Sequence, residues 1–201
     1  MIIGPKYKIA RRLGAPIFEK TQTQKFALRN ARKLENNPRP RSKSEFGLGL
    51  IEKQKVRFQY GLNERQLSNA VNAALAKKGN TGELLMTTLE SRLDNAVLKA
   101  GFATTRRGAR QMTSHGHITV NGKIVRVPSF AVRAGHVVGI REGSKVKPLF
   151  VGLDERLKTV KLPAWLKLNF DKKEVTVDGT PKIEQSELLF NVATVLEFYT
   201  R

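Results

Sequence analysis

From about Ser44 to Gly101, apolar residues recur at helical spacing; a short stretch of strand-like alternation follows. In SEFGLGLIEKQKVRFQYG, Leu48, Ile51, Val56 and Tyr60 stand among basic residues, and Gly61 closes the predicted helix. LNERQLSNAVNAALAKKGN comes next, with Leu67, Ala70, Val71, Ala74 and Leu75 on one stripe and Gly79 as its stop. Asn63 occupies the N-cap position and Gln66 the third helical position, the residue pair of a capping box. A third helix is predicted from about Gly82 to Ala100, with Leu85, Leu89, Leu93, Ala96 and Val97 inward and Gly101 as C-terminal cap.

Past Gly101 the pattern shortens. Thr105 can cap a brief helix that buries Ala109 and Met112 and presents Arg106, Arg107 and Arg110 outward. Gly116 is placed to end it in the left-handed conformation. HITVNGKIV then reads as a hairpin, with Ile118 and Val120 alternating and Asn121-Gly122 favouring a type I′ turn. HVVGIRE supplies another short strand, and Trp165 in LPAWL is expected to anchor the linker that follows. The expected class is α+β: a helical part and a small helix-plus-antiparallel-sheet module. Residues 1–45 have few apolar positions in register and include the Pro-interrupted NNPRPRSKS, so they are expected to form an extended arm that orders against a partner.

Charge changes this picture most. Lys+Arg number 37 against 17 Asp+Glu, a net +20 with pI near 10.6. Residues 1–45 hold 12 basic and 3 acidic side chains and residues 90–150 hold 11 and 3, whereas residues 151–201 hold 8 of each. Two separated arginine-rich blocks point to a polyanion, and nucleic acid fits better than a membrane surface. The longest apolar runs fall short of a spanning helix, so no membrane partner is expected. The start MIIGPKYKIARRLG lacks the form of a secretory signal, and Gly4-Pro5 opposes an amphipathic presequence. With no cysteine there is no disulfide, thiolate nucleophile or cysteine-based zinc site.

His115 and His117 flank Gly116 and raise the question of metal or proton transfer. A His-x-His pair on an extended segment would aim both rings at one face, but two ligands are too few for stable zinc. Neither a nucleophile nor an acidic orienter stands nearby for general acid–base work. The pair is expected on a nucleic-acid-facing surface, with capping of the helix–strand joint as the alternative. Glu90, Arg92 and Asp94 form a charged cluster that fits intrahelical pairing on a solvated face.

The stretch ARQMTSHGHITVNGKIVRVPSF resembles the core of the RNA-binding module named after bacterial small-subunit ribosomal protein four. That module also occurs in pseudouridine synthases, a tyrosyl-tRNA synthetase and a small heat-shock protein, so alone it implies only structured-RNA binding. SEFGLGLIEKQKVRFQYGLNERQL, GNTGELLMTTLESRLDNAVLKAGFA, the GPKYKIARRLG start and the EFYTR end are similar to that ribosomal protein family's own segments. The resemblance covers nearly the whole chain, and it implies that Arg92 and Asp94 lie at a seam between domains with Arg92 able to reach RNA, as the alternative to intrahelical pairing. It implies a basic arm at 1–45, a helical domain at 46–89 closed by a C-terminal helix within 180–201, and the RNA-binding module with its return linker inserted at 90–179. An RNA-modifying enzyme would need a catalytic domain, for which neither flank leaves room; a heat-shock-type binder would lack the upstream helices.

Further implications are functional. The resemblance implies a structural, non-enzymatic component of the small ribosomal subunit. Such a protein is a primary binder of a multi-helix junction in the 5′ domain of small-subunit rRNA, nucleates assembly, lies near the mRNA entrance and influences translational accuracy. Its implied partners are rRNA, neighbouring small-subunit proteins and mRNA. It is expected to be cytoplasmic, on the ribosome, with an organellar ribosome as the alternative, and to be neither a homo-oligomer nor cofactor-dependent. Candidate RNA contacts are Lys6, Lys8, Arg11, Arg12, Arg39, Arg41 and Lys43 in the arm, and Lys53, Lys55, Arg57 and Arg65 in the helical part. In the module they are Arg92, Arg106, Arg107, Arg110, His115, His117, Asn121 and Lys123.

The chain also departs from the family pattern. Tyr7 and Ala10 stand where one branch carries zinc-binding cysteines, so the zinc-free branch is implied and no metal is expected. Gly135-His136 replaces a usual Gly-Asp, and Asn191-Val192 a usual Asn-Glu.

Overall fold

The computed structural model describes residues 3–36, 44–181 and 188–200. Among them the helices are α1 (Lys6–Leu13), α2 (Gln24–Glu35), α3 (Glu45–Gln59), α4 (Glu64–Leu75) and α5 (Thr81–Glu90). They continue with α6 (Leu93–Lys99), α7 (Arg106–Ser114), α8 (Glu142–Lys145), α9 (Leu153–Thr159) and α10 (Val192–Thr200). The strands are β1 (Ile118–Val120), β2 (Lys123–Ile124), β3 (Val137–Ile140), β4 (Leu166–Asn169) and β5 (Glu174–Val177). They form one antiparallel sheet in the order β2-β1-β3-β5-β4, so the chain is α+β. No helix among the described residues is long and apolar enough to cross a membrane. The chain divides into two compact units, Met1–Gly82 with Ile183–Arg201, and Glu83–Lys182.

In the first unit the capping chemistry sets the helix starts. Ser44 Oγ accepts the Gly47 N–H at 3.2 Å, opening α3. Asn63 Oδ1 accepts the Gln66 N–H at 2.8 Å, and Gln66 Oε1 accepts the Asn63 N–H at 3.1 Å, which completes the capping box of α4. Leu67, Val71 and Ala74 bury their side chains while Leu75, at the stripe's edge, stays exposed. α10 packs on α3 and α4 and buries Val192 and Val195. Val192 stands where the family it resembles usually has glutamate. A carboxylate still meets the start of α10, because Glu52 Oε2 on α3 accepts the Asn191 N–H at 2.8 Å.

The stretch expected as an extended arm is instead partly helical. α1 and α2 lie within it, and Ala10, Leu13, Ala15, Ile17, Phe18 and Thr21 are buried. Leu13, Ala15 and Ile17 form a cluster joined by Ile9, with Ile51 and Phe58 of α3 packed against it. Those few apolar positions are too sparse to register as a period, yet they suffice once α3 supplies the other wall. Arg39, Arg41 and Lys43 lie outside the described residues.

In the second unit the helix predicted from Gly82 to Ala100 is broken at Ser91-Arg92. Arg92 takes extended backbone (φ −66, ψ 139) and bridges Ala131. Leu93 N–H donates to Phe130 O at 2.8 Å, Asp94 N–H to Pro128 O at 3.1 Å, and Val132 N–H to Ser91 O at 2.7 Å. A long-range segment thus satisfies groups that a continuous helix would have used internally. The core joins Leu93 and Val97 of α6, Phe102, and Ala109 and Met112 of α7 to Ile118, Val138, Ile140 and Val175 of the sheet. Trp165 belongs to this same core.

Candidate nucleic-acid interface

The joint between α7 and β1 organises the second unit's basic surface. Thr105 Oγ1 accepts the Gly108 N–H at 3.0 Å and opens α7. At the other end Gly116 N–H donates to Thr113 O at 2.9 Å and His117 N–H to Met112 O at 3.0 Å, the paired bonds of a Schellman-type stop. Gly116 has φ 71, and a Cβ there would come within 3.0 Å of Arg126 Nε and 3.3 Å of Ile124 Cγ2. The left-handed torsion therefore favours glycine, and a side chain there would also crowd Arg126 and Ile124. Asn121 (φ 50) and Gly122 (φ 76) then make the expected turn, pairing Val120 with Lys123.

The arginines of α7 do not all point outward. Arg107 is exposed, but Arg106 and Arg110 fold back on α6. Arg106 Nη1 donates to Asn95 Oδ1. Arg110 Nε and Nη2 donate to Asp94 Oδ2 at 3.0 and 2.7 Å, and Arg92 donates to the same carboxylate. The outward reading assumed that each arginine faced only solvent; the buried polar residues of α6 draw two of them back. Asn121 Oδ1 accepts the Val137 N–H at 2.8 Å and so holds β1 on β3. Lys123 is exposed on β2.

The two histidines have different surroundings. His115 caps α7 and is exposed. It does not sit on extended backbone, so the one-face geometry of an extended His-x-His pair does not apply. His117 Nδ1 lies 3.0 Å from the buried Ser144 Oγ, and its ring meets Phe150 edge-on. Burial pushes the His117 imidazole below the ordinary histidine value of 6.5, and the charges of Lys147, His115 and Arg141 act in the same direction. Among the described residues no three His, Cys, Asp or Glu side chains are grouped to hold a metal ion. His136 stacks on Phe130, and its Nδ1 accepts the Arg133 N–H at 3.2 Å. The imidazole there fills an acceptor role that a carboxylate could also fill.

A pH dependence follows from His117. Its folded form favours the neutral ring, so the unfolded chain binds the proton more readily. The stability contribution is present above 6.5 and is lost as pH falls through the lowered folded value. Thermal melts from about pH 7 to about pH 5 should show a steeper loss for the wild-type chain than for His117→Asn. Parallel curves would rule out His117 as the source.

In the first unit, several candidate cations are spent on internal partners. Lys53 is 7% exposed; its ammonium lies 2.8 Å from Glu64 Oε1 and 4.9 Å from the Phe198 ring centroid. Arg57 reaches Glu64 Oε2 at 3.3 Å, and Tyr199 donates its hydroxyl to Glu64 Oε1 at 2.8 Å. Burial would raise the Glu64 carboxyl, but the hydrogen bonds from Lys53, Tyr199 and Arg57 outweigh it and hold the group below its ordinary value. Tyr199 is pushed up by burial and by the same carboxylate. Lys55 pairs with Glu52 at 2.6 Å. Lys8, Arg11, Arg12 and Arg65 are exposed, and the Lys6 ammonium lies 5.6 Å from the Phe18 ring centroid.

Other cations emerge only from the structure. Arg126 lies beside Gly116, and Arg141 and Lys147 act on His117; all three are exposed. They are distant from α7 in sequence, so no local pattern joins them to it. Lys25, Arg29, Arg32 and Lys33 are exposed on α2. Their i, i+4, i+7, i+8 spacing was a visible signal for one basic helical face, hidden by the expectation of an extended arm.

The family described as "Ribosomal protein S4/S9 N-terminal domain" matches residues 1–90, and "S4 domain" matches residues 91–138. Relatives bearing the name "Small ribosomal subunit protein uS4" are similar over nearly their full length. The protein of Roseiflexus castenholzii is 43% identical over 203 residues, covering 99% of this chain and 98% of its own. Those of Delftia acidovorans and Chloroflexus aurantiacus are each 40% identical, over 205 and 208 residues, with the same shares covered. With this likeness running through both units, the chain belongs to the uS4 family of small ribosomal subunit proteins.

Proposed function

We propose that the protein is a structural, non-enzymatic rRNA-binding component of the small ribosomal subunit in the cytoplasm. The observation that carries this is the exposed basic surface of the second unit: Arg126 lies beside Gly116, Arg141 and Lys147 act on His117, and His115, Lys123 and Arg107 are exposed at the end of α7, on the hairpin and on the first turn of α7. Arginine forks and lysine ammoniums on a rigid frame suit phosphate oxygens and 2′-hydroxyls of folded RNA. The family relationship supports a junction of several helices in the 5′ domain of the rRNA as the target. It supports early binding that nucleates assembly, and a position near the mRNA entrance beside neighbouring small-subunit proteins, where contacts influence accuracy. The chain acts there as a single copy.

Titration of the purified protein with a 5′-domain transcript tests the reading. If about 6–10 phosphates are neutralised, affinity falls by about 10³–10⁵ between about 50 and 200 mM salt. Chemical footprinting should place protection at one junction. A flat salt response, or protection scattered over the transcript, overturns the proposal.

A further inference from the structure

We propose that Asp94 is a positioning residue of the RNA interface, holding the guanidiniums of Arg92 and Arg110 side by side to receive phosphate. This inference rests on the RNA-binding reading above and adds a mechanism to it. The Asp94 side chain is 2% exposed, whereas those of Arg92 and Arg110 are 12% and 28% exposed. Its Oδ1 accepts Arg92 Nε at 3.1 Å, and its Oδ2 accepts Arg92 Nη2 at 2.9 Å and Arg110 Nε and Nη2 at 3.0 and 2.7 Å. Four charge-assisted bonds converge on one buried carboxylate, about the number its lone pairs can accept.

Stability alone accounts poorly for this arrangement. A buried ion pair roughly breaks even against apolar packing because both charges lose water. Here a second guanidinium is brought to the same carboxylate, and the three charged side chains sum to +1. Two like charges held together favour an anion at their outer edges, which a phosphate supplies. Arg107, exposed on the same helix, adds charge to that surface.

The next residue repeats the device. Asn95 is fully buried; its Nδ2 donates to Glu90 Oε2 at 2.6 Å, and its Oδ1 accepts Arg106. Consecutive α6 residues therefore each seat one α7 arginine, Arg106 and Arg110 standing one turn apart. Seating flexible arginines before binding removes ordering cost from association.

The sign of one substitution separates positioning from bulk charge. Asp94→Asn keeps the shape and removes a negative charge. Long-range electrostatics alone would tighten RNA binding, as is expected for Asp171→Asn at an exposed turn. Positioning instead predicts that Asp94→Asn weakens binding to the 5′-domain transcript about tenfold, despite the added net charge. Combining Asp94→Asn with Arg110→Gln should be strongly non-additive, whereas combining it with Arg107→Gln should be additive.

Circular dichroism and melting establish that each variant is folded. Should Asp94→Asn not fold, Arg110→Lys keeps the charge but loses the fork, and is expected to weaken binding about fivefold with the salt slope unchanged. A folded Asp94→Asn that binds as tightly as wild type, additivity with Arg110→Gln, or full affinity in Arg110→Lys overturns the inference. If the wild-type chain itself shows no steep salt dependence, the RNA-binding reading fails instead; if wild type binds steeply and only Arg107→Gln weakens it, positioning alone fails.

Discussion

Phe102→Ala is expected to destabilise the second unit by about 3–5 kcal/mol, a large share of the roughly 5–15 kcal/mol that holds a domain folded. Phe102 is 0% exposed and lies between α6 and α7, where its N–H donates to Val97 O at 3.2 Å. It shares a core with Leu93, Ala109, Met112 and Ile118, so truncation leaves a cavity among groups fixed by helix and sheet hydrogen bonds. The chain's single tryptophan, Trp165, is in that same core, so its fluorescence reports on this unit. In urea, the fluorescence midpoint should fall with the slope unchanged. Leu28→Ala, at a side chain 62% exposed on α2, should stay within about 0.5 kcal/mol of wild type. A Phe102→Ala midpoint no lower than that of Leu28→Ala would remove Phe102 from the supports of the fold. Excess RNA should restore part of the loss, because a ligand that binds only the folded form shifts the equilibrium toward it.

Elements governed by neighbours in sequence were legible. The Asn63–Gln66 box, the Thr105 cap, the Gly116 stop and the Asn121-Gly122 turn each depend on residues within a few positions, and each formed as its residue types predict. The break at Ser91-Arg92 was not legible, because its cause is pairing with residues 128–132. The helices near the N-terminus escaped for a related reason: the wall that buries Leu13 and Ile17 includes Ile51 and Phe58 on α3.

The candidate interface divides along the same line. Residue type marks where cations lie along the chain, but the direction of a long side chain depends on which acid lies within reach. Glu64 is 11 residues from Lys53 and 135 from Tyr199 in sequence, yet one carboxylate engages both. Asp94 draws in Arg110 across 16 residues. Conversely, Arg126, Arg141 and Lys147 join the basic surface only because the hairpin, β3 and the α8 segment bring them to Gly116 and His117. The abundance of arginine announces a polyanion partner; the scarce acids decide how each arginine is held.

That division predicts that two triple variants with the same charge change will behave oppositely. Arg107→Gln, Arg126→Gln and Arg141→Gln together remove three exposed cations from the second unit's basic surface. If each meets one phosphate, the salt slope should flatten by about 3, with affinity down roughly a thousandfold at about 50 mM salt and roughly twentyfold at about 200 mM. The deficit narrows with salt because fewer counterions are released. Lys53→Gln, Lys55→Gln and Arg57→Gln remove three cations that already have carboxylate partners in the first unit. There the slope should stay near that of wild type while the first unit loses stability, since Glu64 is left bonded to Tyr199 without its counter-charges. Salt-series titrations of both triples against the 5′-domain transcript, with melts of each, make the comparison. Equal flattening by the two would mean that the internal pairs of α3 open to meet RNA, and the second unit's basic surface would lose its place as the principal contact.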